Sequence, residues 1–300
     1  MFIIGAISLL GSLVMPEPLK IGATYMNLNN PYFVALNNSI EQVINANGDI
    51  LIARDPSQNQ ARQNDIVCDM IDEGIDILIL QPVDWKGVQV AINACNERNI
   101  PIIVVDSKVY NSENILFNVL SDNYKAGYYL AEDILRKKES ANILLIHDTR
   151  INSIVDRVAG LKDGLAKNKN VRIVEAYDHI EGLEQSMSVT EHCLLEELDF
   201  DVVVGANDPT ALGALAALQK YDADRDVLVY GVDGSPDAKR MIAKGYMEGT
   251  SAQKPQMIGR ITAENLYKYL KGEPVEKEIL VNVEFIGSDS VSSFNIAGWQ

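Results

Sequence analysis

Six polar residues stand where short apolar runs give out, Asn30, Gln81, Asp106, Asn207, Asp233 and Gln253, and Arg157 lies early in a helical stretch. Their chemistry suits hydrogen bonding to a polyhydroxylated molecule. A hydroxyl both donates and accepts, a carboxylate accepts at two oxygens, Asn and Gln do both, and Arg donates in a fixed fork to paired oxygens. Tyr32 and Phe33, just inside a helix opened by Asn30-Pro31, are placed to cover the apolar face of a ring. Taken singly, Asp106 or Asp233 reads equally well as a loop cap, and Tyr32 or Phe33 as ordinary core. Recurrence tips the balance. Gln81 and Asp106 end the runs ILIL and IIVV at a separation of 25 positions, while Asn207 and Asp233 follow VVVGA and VLVYGV at a separation of 26. Two similar halves facing one another would present four polar strand ends to one cleft, although strand-helix repeats resemble one another and supply part of this match by chance.

Signatures of catalysis are missing. No G-x-G-x-x-G, G-x-x-x-x-G-K-[ST] or G-x-S-x-G occurs, so neither a nucleotide cofactor nor a serine nucleophile is expected. His147, His179 and His192 show no metal-ligand spacing. His147 ends a strand, where it could reach the cleft or serve at the surface. Cys68, Cys95 and Cys193 lack any C-x-x-C and read as buried free thiols. Acid-base work by Asp106 and Asp233 is the weakest functional reading, and no catalytic residue, cofactor or metal is assigned.

The elements that must position these groups are legible. A chain of 300 residues exceeds what one core usually holds, so two lobes are expected. Near-continuous apolar runs begin at Lys20, Ile50, Ile77, Ile102, Ile143, Val171, Val202 and Val227 and alternate with helical patterns, as in parallel sheets covered on both faces. Asn30-Pro31, Asp208-Pro209, Ser235-Pro236 and Lys254-Pro255 read as helix starts, and Asp84 and Asp122 as caps without Pro. In such sheets ligands bind at the carboxyl ends of strands. A net charge of −16 argues against nucleic acid. The uncharged apolar run from Phe2 to Met15 has the length of a secretory signal, with no basic residue before it and no A-x-A after it, so it reads as an export signal or an anchor.

From Lys20 to Gln300 the chain resembles the ribose/galactose-type periplasmic sugar-binding proteins of ABC transporters. The resemblance rests on Asn30-Pro31-Tyr32-Phe33, ILILQPVD ending at Asp84, IPIIVVDS ending at Ser107, SDNYKAG from Ser121, DRVAGLKDGL from Asp156, GANDPTALGAL from Gly205, VYGVDGSPD from Val229 and TSAQKPQMIG from Thr250. It implies an α/β fold of the periplasmic binding protein type I class, with two Rossmann-like, doubly wound parallel-sheet lobes joined by a hinge of three crossings. The expected division is a signal-like or anchoring segment and linker over 1–18, a first lobe over 19–121 plus 254–282, and a second lobe over 122–253 plus 283–300. The implied ligand contacts are Asn30, Tyr32, Phe33, Gln81, Asp106 and Ser107 from the first lobe, Arg157, Asn207 and Asp233 from the second, and Gln253 at the hinge. Ribose-like members follow the strand-end Asp with Arg where this chain has Ser107, and carry an aromatic where it has Val232, which argues against ribose itself. The implied function is extracytoplasmic capture of a monosaccharide or related polyol by hinge closure, as a monomer, for delivery to an ABC transporter permease. An anchored sensor feeding a histidine kinase or chemoreceptor is the alternative, with Trp85 as a possible docking mark. A transcription-factor effector domain is disfavoured because only an apolar run and a short linker precede the first strand.

Overall fold

The computed structural model describes residues 17–223 and 227–300. The signal-like or anchoring segment expected over 1–18 therefore lies, through residue 16, outside the described residues. In the first half, β1 (Lys20–Thr24), α1 (Pro31–Ala46), β2 (Ile50–Arg54), α2 (Gln60–Asp72), β3 (Ile77–Leu80), α3 (Gln89–Glu97), β4 (Ile102–Val105) and β5 (Phe117–Ser121) follow one another. Next come α4 (Asn123–Lys137), β6 (Ala141–Ile146), α5 (Asn152–Leu165), β7 (Val171–Tyr177), α6 (Gly182–Leu195), β8 (Val202–Gly205), α7 (Asp208–Lys220), β9 (Leu228–Asp233), α8 (Pro236–Ala243) and β10 (Gly249–Ala252). The chain finishes with α9 (Pro255–Leu270), β11 (Glu278–Val281), β12 (Glu284–Gly287) and a short 3-10 turn at Val291–Ser293.

Two six-stranded sheets result. The first runs β11-β5-β4-β3-β1-β2 and the second β12-β10-β9-β8-β6-β7. All pairings are parallel except that of β12 with β10. Strands ILIL, IIVV and VVVG are buried along their whole length, because helices cover both sheet faces and leave no side for water. The chain passes from one sheet to the other after β5, after β10 and between β11 and β12. No helix among the described residues is long and apolar enough to cross a membrane.

The C-terminal tail makes a further passage. Val291, Phe294 and Ile296 pack into the second lobe's core, but Trp299 packs against the first lobe's and meets Tyr32 edge to face, ring centroids 5.6 Å apart. Lys239, fully buried on α8, fastens this tail by donating from Nζ to the carbonyls of Asn295 and Gly298. Burial lowers the Lys239 pKa, and the two carbonyls supply the partners that a buried ammonium requires.

Three local expectations change. Cys68 is exposed, whereas Cys95 and Cys193 are buried as free thiols. Asp84 caps a turn, accepting from the Lys86 and Gly87 amides, and α3 starts later without a side-chain cap. The cap of α7 is Asn207, one residue before Asp208. Asp122 caps α4 through a bond from the Lys125 amide.

Candidate functional site

A cavity lies between the lobes, lined by residues of both. On the first-lobe side, the Asn30 carboxamide oxygen accepts the Tyr32 amide at 2.9 Å and caps α1, with Pro31 preset for its first turn. That cap turns Tyr32 and Phe33 inward, where they meet edge to face at 5.2 Å, while Phe33 also stacks on Tyr25. The Tyr32 hydroxyl donates to Asp106 Oδ1 at 2.8 Å and lies 3.2 Å from Gln253 Oε1. Gln81, wholly buried after β3, accepts the Met26 amide on Oε1 at 2.5 Å, and its carbonyl accepts Gln63 Nε2 at 2.8 Å. Gln81 Nε2 has no partner among the described residues although it lines the cavity, so a donor is held ready for an acceptor inside it.

On the second-lobe side, Arg157 projects from α5 with Nε donating to Asn123 Oδ1 at 2.9 Å and Nη1 to the Ala206 carbonyl at 2.8 Å. These two bonds hold the guanidinium with Nη1 3.8 Å from Asp233 Oδ1. The approach of α5 to α4 depends on glycine at the crossing. A Cβ on Gly127 would stand 1.8 Å from the Arg157 carbonyl oxygen, and one on Gly160 1.9 Å from that of Tyr124. Asn207, which lines the cavity, caps α7 through its carboxamide oxygen, so its NH2 group remains for another partner. Asp233 Oδ1 accepts Gln253 Nε2 at 2.8 Å. Behind it, the buried Asp208 carboxylate accepts the Ser235 amide and the Thr250 hydroxyl, each at 2.7 Å, and so holds the turn that carries Asp233.

Asp106 and Asp233 share a backbone peculiarity, with φ of 64° and 139°. The other six non-glycine residues with positive φ among those described are exposed, whereas these two are buried. Such conformations cost on the order of 1–3 kcal/mol and persist where surrounding structure over-determines them. Burial raises the pKa of both carboxyls; Arg157 opposes the rise at each, and the Tyr32 hydrogen bond opposes it at Asp106. The Tyr32 phenol is pushed well above its ordinary range, first by burial and then by Asp106, so it stays a donor.

The lobes are closed on one another. Ile151, Ile154 and Ala206 of the second lobe join the first lobe's hydrophobic core. The Ser153 amide donates to Ser107 Oγ at 3.1 Å, the Trp85 amide to the Arg150 carbonyl at 3.0 Å, and Gln58 Nε2 to Glu181 Oε1 at 2.9 Å.

Nine of the ten sequence-nominated residues converge on the cavity: Asn30, Tyr32, Phe33, Gln81, Asp106, Arg157, Asn207, Asp233 and Gln253. Ser107 does not. Its hydroxyl is taken by the Ser153 amide, and it lines a separate space beside β5 and α5 with Lys108 and Asp156. His147 also stays outside, near Asp178, its pKa lowered chiefly by burial. Trp85 sits at the cleft edge against Tyr110, at 5.4 Å between centroids. Sequence reading missed Met26, Ile151, Ser153, Ile154 and Glu181. Following every strand to its end would have found Met26 after β1 and Glu181 after β7, because the strand-end rule applies to those two as well.

A cavity between two parallel-sheet lobes, lined from both by hydrogen-bonding groups, defines a bilobal solute-binding protein. Residues 21–274 match the periplasmic binding protein domain, and the chain belongs to that family. Among its relatives is the ribose import binding protein of Escherichia coli strain K12, 32% identical over 265 residues that cover 86% of this chain and 87% of that protein. The ribose import binding protein of Bacillus subtilis strain 168 is 28% identical over 259 residues, covering 86% and 84%. Among solved structures, an ABC transporter solute-binding protein from Mycobacterium smegmatis with bound glycerol superposes with a TM-score of 0.85 at 28% identity, covering 95% of this chain and 98% of that one. A Caulobacter myo-inositol binding protein shares the fold, with a TM-score of 0.85 at 24% identity over 94% and 98%.

Proposed function

We propose that this chain captures a monosaccharide or related polyhydroxylated solute outside the cytoplasm and delivers the closed complex to an ABC transporter, without transforming what it binds. The observation that carries this reading is the inter-lobe cavity, in which Gln81 Nε2 and the Asn207 NH2 offer donors while Asp106 and Asp233 offer acceptors. The recognition set is the nine convergent residues, Tyr32 and Phe33 covering the ring and the polar seven reading its hydroxyls. We take the two lobes as 19–121 plus 254–282 and 122–253 plus 283–300, a division supported by the passages of the chain between the sheets after β5, after β10 and between β11 and β12. Only the closed arrangement brings both walls to one ligand, so ligand stabilises closure. The ribose, glycerol and inositol named for its relatives support a small polyol as the class.

A thermal-shift screen over pentoses, hexoses, furanoses and polyols tests the class, since a ligand that binds only the folded state raises Tm. With the best of these in a calorimeter, Asp106→Ala and Asp233→Ala each weaken binding at least about tenfold, equivalent to 1.4 kcal/mol. Unchanged affinity in both variants rejects the site.

A further inference from the structure

We infer that the ligand of this cavity carries a positive charge, an amino group on its polyhydroxylated ring, and that Glu181 is the carboxylate that reads it. The inference deepens the sugar-capture reading and rests on it. Asp106, Asp233 and Glu181 all line the cavity, and Arg157 is the one cation among the described residues that does so. The guanidinium serves the Asp106 and Asp233 end, where it bears on both carboxyls. Glu181 has no cationic partner among the lining residues. Arg150, whose charge opposes its rise, stands outside that lining and is held by Asp148 through Nε at 2.9 Å and through Nη2 at 2.5 Å. Asp148 is itself 1% exposed, so that pair is closed upon itself and adds no net charge.

Gln58, reaching across from the first lobe, gives Glu181 Oε1 a neutral bond, and among the described residues no donor meets the second oxygen. Burial and the Asp148 charge together lift Glu181 to about 7, with Arg150 and Gln58 opposing only in part. A neutral sugar leaves this acid uncompensated when the lobes close. An ammonium cancels the charge and donates up to three hydrogen bonds, while the remaining hydroxyls take Gln81 Nε2 and the Asp106 and Asp233 acceptors.

The test sets each amino sugar beside its neutral parent: glucosamine with glucose, galactosamine with galactose, mannosamine with mannose, and an aminodeoxy-inositol with myo-inositol. Calorimetry on the full chain at neutral pH is expected to show at least one amine bound tenfold or more tighter than its parent, with N-acetylation removing the advantage. Glu181→Gln, checked for an unchanged unfolding transition, is expected to bring that ratio to about threefold or less. Neutral parents bound as tightly as every amine would overturn the inference and leave sugar capture standing. A preference that survives Glu181→Gln overturns the role of Glu181, and no binding in either series rejects both readings together.

Discussion

The aromatic face of the first-lobe wall is set by packing, the second-lobe wall by a buried polar network. Tyr32 and Phe33 belong to the core that β1, α1 and α9 build, and their rings are aligned by Tyr25 and Trp299. Arg157, Asn207 and Asp233 are instead aligned by Asn123, the Ala206 carbonyl, Thr210 and the Asp208 turn. An apolar wall tolerates changes of similar volume at small cost, whereas a buried network punishes the loss of any member by stranding the others. The same cavity is thus adaptable at its aromatic face and exacting along its polar network.

The largest expected effect lies beneath the exacting wall. Gly127→Ala forces a methyl onto the Arg157 carbonyl, so α5 must retreat; we expect a loss of about 3 kcal/mol and a fall in Tm on the order of 6–10 °C by calorimetric unfolding. An unaltered Tm would mean that the second wall does not depend on that crossing. Next, Arg157→Ala strands Asp233 and Asp106 and is expected to weaken ligand binding about a hundredfold, against about tenfold or less for Phe33→Leu on the adaptable wall. Equal losses in titration calorimetry would erase the distinction. Tyr32→Phe removes the bond to Asp106 Oδ1 but keeps the ring, and about 1–2 kcal/mol of stability should go with it, readable from denaturant midpoints.

The smallest effect is one of pH. Asp233 and Glu181 are raised in the folded protein, Glu181 to about 7, above unfolded values near 4. Between about pH 4 and 7 the folded state therefore holds more protons than the unfolded one, and stability falls as pH rises through that window. Without ligand, Tm should drop by a few degrees from pH 5 to 7.5, and Asp233→Asn should flatten the slope. A Tm that climbs over this range contradicts the assignment.

Six of the eight apolar strand runs and the Pro-opened helices were readable because burial on both faces and fixed helix-start geometry mark the sequence directly, whereas β2 and β7 are edge strands, partly open to water, that kept their apolar residues. Four strands were not readable. β10 is GTSA, buried throughout yet without an apolar run, because α4 crosses it closely and Ser251 Oγ donates to the Ala126 carbonyl. β5 carries Asn118 amid its apolar residues, and β11 and β12 are short edge strands partly open to water. In the site, residues at paired strand ends were legible from their recurrence. Glu181 lies four residues past the end of β7, where following that strand outward would have found it, whereas Ser107 stands beside a true cavity residue but turns to the lobe seam, which local sequence does not mark.

The two tryptophans of this chain both sit where the lobes meet, Trp85 with its amide on Arg150 and Trp299 against the ring of Tyr32. Parting of the lobes would change the surroundings of both indoles at once. The protein therefore carries its own optical gauge: unlabelled emission should shift as the cleft opens and shuts, so that the speed of capture can be timed by mixing alone.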